Sequence, residues 1–318
     1  MFENTYKNKK ILITGHTGFK GTWLSIWLTY LGAKVIGYSK DIPTRPSMFK
    51  QLGVRNRIKH VIGNVANYNS LKKIIKLNKP DFIFHLAAQG IVSVSYKDPM
   101  ETFYSNTIGT LNLLNILKEI DFKVVVVIIT SDKCYDNLEL KRGYKEDDIL
   151  GGKDIYSGSK GAAELIYKSY YHSFLSFKKN ISSATARAGN VIGGGDWAKD
   201  RIIPDTIRAW SKKRKVKIRN PQSTRPWQHV LEPLSGYLRL GQILYTTKDI
   251  NGQSFNFGPN IKDSHKVEKL LYDLSLKWQF DNYFTLEGKK EFYEANLLQL
   301  NCNKALTILK WKPSLKYN

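Results

Sequence analysis

Along the first half of the chain, short apolar runs alternate with amphipathic stretches. Residues 10–14 are such a run and end at a glycine, while Trp23, Leu24, Trp27, Leu28 and Leu31 recur at helical spacing through 21–31. Further strands are predicted over 33–38, 60–62, 81–86 and 124–130, and helices over 70–77, 106–119 and 157–171. The run at 124–129 is wholly Val and Ile, as expected of a strand covered on both faces. Strands alternating with helices imply right-handed crossovers and a parallel sheet between helical layers. The predicted fold class is therefore α/β: a doubly wound parallel Rossmann-type sheet, with ligands beyond the carboxyl ends of its strands.

After residue 188 the pattern loosens. The glycines at 193–195 and Pro204, Pro221, Pro226, Pro233 and Pro259 interrupt it, and helices are predicted over 202–210, 233–245 and 266–278. No repeat or low-complexity tract is present. The expected division is a dinucleotide-binding unit, 1–188 with 226–252 returning to it. A smaller mixed α/β substrate-binding unit would comprise 189–225 and 253–318.

Composition narrows the class. With 318 residues, 42% of them hydrophobic, and seven Trp, the chain can bury a large core. Cys134 and Cys302 are too few and too far apart for a disulfide framework or a zinc site, and no metal is expected. No apolar run approaches the roughly 20 residues that span a bilayer. Residues 1–10 are polar and lead directly into the first strand, so the chain reads as cytoplasmic, without a signal peptide. Fifty Lys and Arg against 27 Asp and Glu leave a formal charge of +23. Nucleic-acid binding is one reading of that charge. The basic residues are dispersed, however, and the densest clusters, 7–10 and 212–217, lack interleaved aromatics. We therefore expect no nucleic-acid and no membrane partner. An anionic diphosphate substrate would use only two or three of these charges.

Candidate chemistry starts at the first strand-to-helix junction, Gly15-His16-Thr17-Gly18-Phe19-Lys20-Gly21. Glycines three apart allow a tight turn, close approach of backbone to a pyrophosphate and close packing of helix on strand. The phosphate then meets the free N–H groups of the helix start. The spacing alone is weak in a chain with 23 Gly, and its weight comes from the strand before it and the helix after it. Gly15, Thr17, Gly18, Phe19 and Gly21 are thus the expected dinucleotide contacts. Asp41, slightly past the second strand, suits the ribose hydroxyls of NAD, whereas Ser39, Lys40 and Arg45 suit a 2′-phosphate; NAD is preferred. Asn64, after the third strand, reads equally as an adenine contact or a turn former.

Tyr156 and Lys160 lie four apart, on one face of a predicted helix. An ammonium beside a phenol favours the phenolate, so the pair suits base catalysis. The same spacing occurs at Tyr6/Lys10, Tyr30/Lys34 and Tyr68/Lys72. Position distinguishes Tyr156: its helix follows the strand that ends at Thr130-Ser131-Asp132-Lys133.

These motifs occur with His85-Leu86-Ala87-Ala88-Gln89 after the fourth strand and with three longer strings. The strings are Thr130-Ser131-Asp132-Lys133-Cys134-Tyr135, Gly189-Asn190-Val191-Ile192-Gly193-Gly194-Gly195-Asp196-Trp197 and Arg225-Pro226-Trp227-Gln228-His229-Val230. With them the chain resembles the extended short-chain dehydrogenase/reductase superfamily from about residue 8 to 312, and within it the nucleotide-sugar 4,6-dehydratases that act on CDP-glucose. The resemblance implies that Tyr156 takes the O4 proton of the glucose and that Lys160 lowers the Tyr156 pKa and holds the cofactor ribose. Ser131 would bond O4, and Asp132 would protonate O6 as water leaves across C5–C6. Related hexose dehydratases carry Glu where Lys133 stands; Lys133 as C5 base and Lys133 as holder of a water both stay open. Leu86, Ala87 and Ala88 are implied cofactor contacts. Gln89, Asn190 and Arg225, with Arg201 and Arg219 as weaker candidates, are implied substrate contacts, since an Arg fork matches phosphate oxygens.

His229 reads evenly as packing or function, and Trp197 and Trp227 as core or wall. The resemblance further implies a homodimer through helices 106–119 and 157–171. It also implies a helix beyond Trp311-Lys312-Pro313, where this sequence ends at Asn318. A C4 epimerase or 4-dehydrogenase on another nucleotide is the near alternative, and a basic nucleic-acid-binding protein on the same scaffold the distant one. Asp132 beside Lys133 favours elimination.

Overall fold

The computed structural model describes residues 2–261, 264–281, 283–287, 295–315 and 317. The apolar runs become β1 (Lys10–Thr14), β2 (Lys34–Ser39), β3 (Lys59–Ile62), β4 (Phe82–His85) and β5 (Val124–Ile129). They pair in parallel in the order β5-β4-β1-β2-β3, with Leu12 level with Ile36 on one side and Ile83 on the other. Side chains alternate across a strand, so each strand serves two cores. Ile11, Ile13, Phe82, Phe84, Val125 and Val127 pack with Leu24 and Leu28 of helix Phe19–Tyr30 and with Leu234 and Leu238 of helix Leu231–Thr246. Leu12, Ile83, Val126 and Ile128 pack with helices Tyr68–Asn78, Gly109–Glu119 and Ile155–Ser173 on the other face. This is the doubly wound arrangement predicted.

Two strands of this sheet were not predicted. β6 (Ile181–Ala188) lies beside β5, and the edge strand Ser254–Phe257 pairs in parallel with β6, making seven strands. All eight β6 residues are buried, yet the sequence Ile-Ser-Ser-Ala-Thr-Ala-Arg-Ala has neither alternation nor an apolar run. Its polar side chains are satisfied inside the protein: Ser183 meets Tyr167, and Thr185 and Arg187 both bond Glu164. The edge strand carries the sheet through residue 257.

Helix starts shift by about a turn or less. The helix expected from 157 begins at Ile155, because Asp154 accepts the Ser157 backbone N–H at 3.0 Å and caps it. The helix expected over 106–119 is regular only over Gly109–Glu119 and is led in by a π-helical turn, Tyr104–Ile108. The irregular half adds helices Ile202–Trp210 and Val267–Trp278, packed through Val216, Ile218, Trp227, Val267, Leu270 and Leu271. Among the described residues no helix is long and apolar enough to cross a membrane.

Candidate active site

The loop after β1 is tightly packed. Gly15 has φ of +76°, and a Cβ there would stand 2.7 Å from the Ala87 backbone nitrogen beyond β4. A Cβ on Gly21 would stand 2.1 Å from the Gly15 carbonyl oxygen, so the helix start rests directly on the turn. Gly18 differs: its Cβ would meet only that same oxygen, at 3.4 Å. Gly18 is the N-cap of helix Phe19–Tyr30 and offers no side-chain cap. The first N–H groups of a helix have no acceptor within it, and their dipole favours an anion. β1 and β4 are neighbours from which the connections run to opposite sides, so this crevice is the switch point of the sheet. The residues fit a dinucleotide pyrophosphate.

Thr17 Oγ1 donates to the Asp41 carbonyl at 2.6 Å, joining the loop to the end of β2. Asp41 is exposed at the cleft rim. The groups that would suit a 2′-phosphate are partly engaged: Ser39 Oγ bonds His16 Nδ1 at 2.8 Å, and Lys40 is ion-paired with Glu101. Asn64 lines the cleft, but its Oδ1 accepts the Ala66 N–H at 2.9 Å, as a turn former does. Leu86, Ala87 and Ala88 line the cleft beside Gly15.

Beyond β5, Ser131 Oγ donates to Asp132 Oδ1 at 3.0 Å and accepts the Lys133 N–H at 3.2 Å. Asp132 is 2% exposed, and its Oδ2 has no hydrogen-bond partner. Burial raises the Asp132 pKa, and the opposing pull of Lys133, Ser131, Lys20 and Arg225 does not cancel it. Tyr156 and Lys160 reach the same cleft from helix Ile155–Ser173, both buried. Burial pushes the Tyr156 phenol up to about 12, against its hydrogen bond to Ser131. Burial also lowers Lys160 to about 8, opposed by Cys134 and Glu164.

Asn190, Arg201, Arg219 and Arg225 line the cleft, which measures about 2120 Å³ and receives every site residue named from the sequence. Arg201 pairs with Asp196 at 3.0 Å, and Arg225 donates to the Thr224 carbonyl at 3.0 Å. Gln89 lines the cleft as well, and its amide bonds the backbone of Ile91 and the Thr102 hydroxyl. His229 lines the cleft, and its Nδ1 accepts the Leu231 N–H at 3.3 Å at a helix start. Trp227 bonds the His265 carbonyl, whereas the buried Trp197 Nε1, on the cleft wall, has no partner. Sequence reasoning passed over Lys20. It lies in the cleft with Nζ 3.5 Å from Tyr237 Oη. Burial lowers its pKa to about 8, Arg201 adds to the drop and Asp132 opposes it. The available signal was a cation inside a glycine turn.

With this geometry in view, comparison with known proteins is informative. The family model described as GDP-mannose 4,6 dehydratase matches residues 12–318. A CDP-glucose 4,6-dehydratase of Salmonella typhimurium is 45% identical over 315 residues, covering 98% of this chain and 88% of that protein. Among solved structures, an epimerase of Methanothermobacter thermautotrophicus superposes with a TM-score of 0.86 at 23% identity, over 99% of this chain and 90% of that one. A dTDP-glucose 4,6-dehydratase of Bacillus anthracis, in complex with NAD, gives 0.80 at 20% identity over 97% and 93%. The two structures show a shared fold; the family match spans nearly the whole chain and includes the loop, the Ser131-Asp132 strand end and the Tyr156/Lys160 helix. The chain belongs to the GDP-mannose 4,6 dehydratase family, within the extended short-chain dehydrogenases/reductases.

Proposed function

We propose that this protein is an NAD-dependent CDP-glucose 4,6-dehydratase, converting CDP-glucose to CDP-4-keto-6-deoxyglucose and water. The observation that carries the reading is Asp132: a buried carboxyl with a raised pKa, bonded to Ser131, in the same cleft as Tyr156 and Lys160. Burial that raises a carboxyl's pKa favours its protonated form, which can donate to a leaving hydroxyl. A C4 epimerase has no need of such an acid. The base CDP rests on the 45% identity to the Salmonella protein. NAD, rather than NADP, is supported by the engagement of Ser39 and Lys40 and by the NAD complex of the Bacillus relative.

The Gly15–Gly21 turn would hold the pyrophosphate, Asp41 the adenosine ribose and Lys160 the nicotinamide ribose. When bound, NAD would supply reversible hydride transfer, the hydride leaving C4 and returning to C6 after water is lost while a proton returns to C5, and its positive charge would favour the Tyr156 phenolate. Ser131 orients the sugar O4 and Tyr156 takes its proton. The ketone formed at C4 acidifies the C5 hydrogen. Lys133, next in the chain, would take the C5 proton or hold a water, and Asp132 would deliver a proton to O6 as water leaves. Arg225 and Asn190, with Arg201 and Arg219, would face the diphosphate and sugar. The part of the chain formed by 189–225 and the residues after 257 would close over the sugar.

Incubation with CDP-, dTDP-, GDP- and UDP-glucose, followed by mass spectrometry, tests the function. Loss of one water from CDP-glucose is expected; C4 inversion without water loss would overturn it. A cytoplasmic homodimer completes the reading. Tyr96, Met100, Phe103, Tyr104 and Leu165 leave apolar surface exposed on the helices around 92–119 and 155–173, suited to a second copy. A monomer by light scattering at micromolar concentration would remove that part.

A further inference from the structure

One turn beyond Lys160 on the same helix, Glu164 is 2% exposed and lies outside the set that lines the catalytic cleft. Its Oε1 accepts the Thr130 hydroxyl at 2.5 Å. Its Oε2 accepts from Arg187 at 2.7 Å, Thr185 at 2.9 Å and Ser254 at 3.2 Å. Arg187 is equally buried; it lies 4.9 Å over the Tyr135 ring and donates to Tyr135 Oη and the Glu146 carbonyl. Each partner leads to a group that does chemistry. Thr130 immediately precedes Ser131 and Asp132. Arg187 stands near the end of β6, just before Gly189, which lies against Asp132, and Asn190.

A buried ion pair adds little net stability, because desolvation offsets its attraction; an apolar pair would join these layers as well. What it adds is fixed geometry and fixed charge. We propose that Glu164 is a positioning residue: through Thr130 and Arg187 it holds the ends of β5 and β6 against the helix of Tyr156 and Lys160, and it sets a permanent negative charge one turn from the Lys160 ammonium. The inference rests on the reading of Tyr156 and Lys160 given above.

The groups that bear on Lys160 are Cys134 and Glu164, which favour its charge, and Lys20 and His85, whose own pKa values are lowered chiefly by burial and in smaller part by Lys160. Burial has already lowered Lys160 to about 8. Burial pushes the Glu164 pKa up, but Arg187 and the Thr130 and Thr185 bonds outweigh it, so Glu164 stays ionised. Loss of that charge lowers the Lys160 pKa further, and the ammonium disappears at lower pH.

The test compares the parent with Glu164→Gln, Glu164→Asp and Thr130→Val. One readout is single-turnover NADH formation from CDP-glucose against pH; the other is Lys160 itself, titrated by NMR with isotope-labelled lysine in the absence of substrate. Glu164→Gln should move the basic limb and the Lys160 titration down by about one pH unit, a normal size for a nearby charge. Glu164→Asp should restore both. Thr130→Val should lower kcat about tenfold or more with KM and the basic limb unchanged, since misplacing reacting groups slows the chemical step. A Glu164→Gln profile superimposable on the parent's, at full or uniformly reduced rate, would overturn the charge role. A Thr130→Val enzyme with parental kcat would overturn the positioning role, including where Glu164→Gln does not fold. A parent that dehydrates no nucleotide-glucose would strike the functional reading instead, while the Lys160 titration would still decide the charge.

Discussion

Gly189 makes room for the Asp132 carboxylate: a Cβ at 189 would fall 2.9 Å from Oδ2, the oxygen that has no other partner. The end of β6 therefore shapes the space around the proposed acid. Asp132→Asn should leave C4 oxidation largely intact and slow water loss about 100-fold or more, the size typical of a lost general acid. Gly189→Ala should act in the same direction, more weakly, by displacing the carboxyl. Single-turnover absorbance of NADH separates the steps: accumulated NADH with little dehydrated product is expected. Equal loss of both steps would make Asp132 structural. Tyr156→Phe should lose both, since no base remains for O4.

The loop glycines should separate by consequence. Gly18→Ala meets only a 3.4 Å neighbour, so the protein should fold normally and lose NAD affinity, because the new methyl enters the cofactor's space. Gly21→Ala must displace backbone and should lower the melting temperature as well. Calorimetry and thermal unfolding on the two variants check this. NAD binding by Gly18→Val at parental affinity would disprove the loop assignment, and NADP binding tenfold tighter than NAD would disprove the role of Asp41.

Two buried histidines should make the fold acid-sensitive. Burial lowers His16 to about 4, helped by His60, and lowers His85 to about 3, helped by Lys160. His16 bonds Ser39 and His60, and His85 bonds Thr14 at 2.9 Å. Both are neutral in the folded protein and take up a proton near 6.5 when unfolded. Their contribution to stability is whole above about 6.5 and is lost as pH falls toward 4. Each should contribute about 1.4 kcal/mol per pH unit in that window. In denaturant titrations, His85→Asn should flatten the dependence by about that amount; an unchanged slope would contradict the assignment.

Salt distinguishes a cleft from a diffuse basic surface. CDP-glucose should protect the protein against thermal unfolding even at a few hundred millimolar salt, because a partly buried charge pair is poorly screened. Any nucleic-acid binding at low salt should vanish there, since it depends on counterion release. Arg225 is 6% exposed and lines the cleft, so Arg225→Ala should abolish protection by CDP-glucose and leave low-salt nucleic-acid binding almost unchanged. Sequence-selective nucleic-acid binding that survives high salt, with no thermal shift from any nucleotide-glucose, would overturn the enzyme reading.

Local signals along the chain were enough for β1 to β5, the turn at Gly15, Gly18 and Gly21, and the pairing of Tyr156 with Lys160 on one helix face. In each case the determinant is short-range: an apolar run, a glycine with left-handed φ, a spacing of four. β6 was not legible, because its strand character depends on Tyr167 and Glu164 satisfying Ser183, Thr185 and Arg187 from another element. Nor was the commitment of Gln89 to Thr102, or the arrival of Lys20 beside Tyr237. The same holds for acidity. Burial pushes Tyr156 up and Lys160 down, and residue types alone do not show that. Desolvation and charge pairing arise from which distant segments enclose a group, and only the tertiary structure decides that.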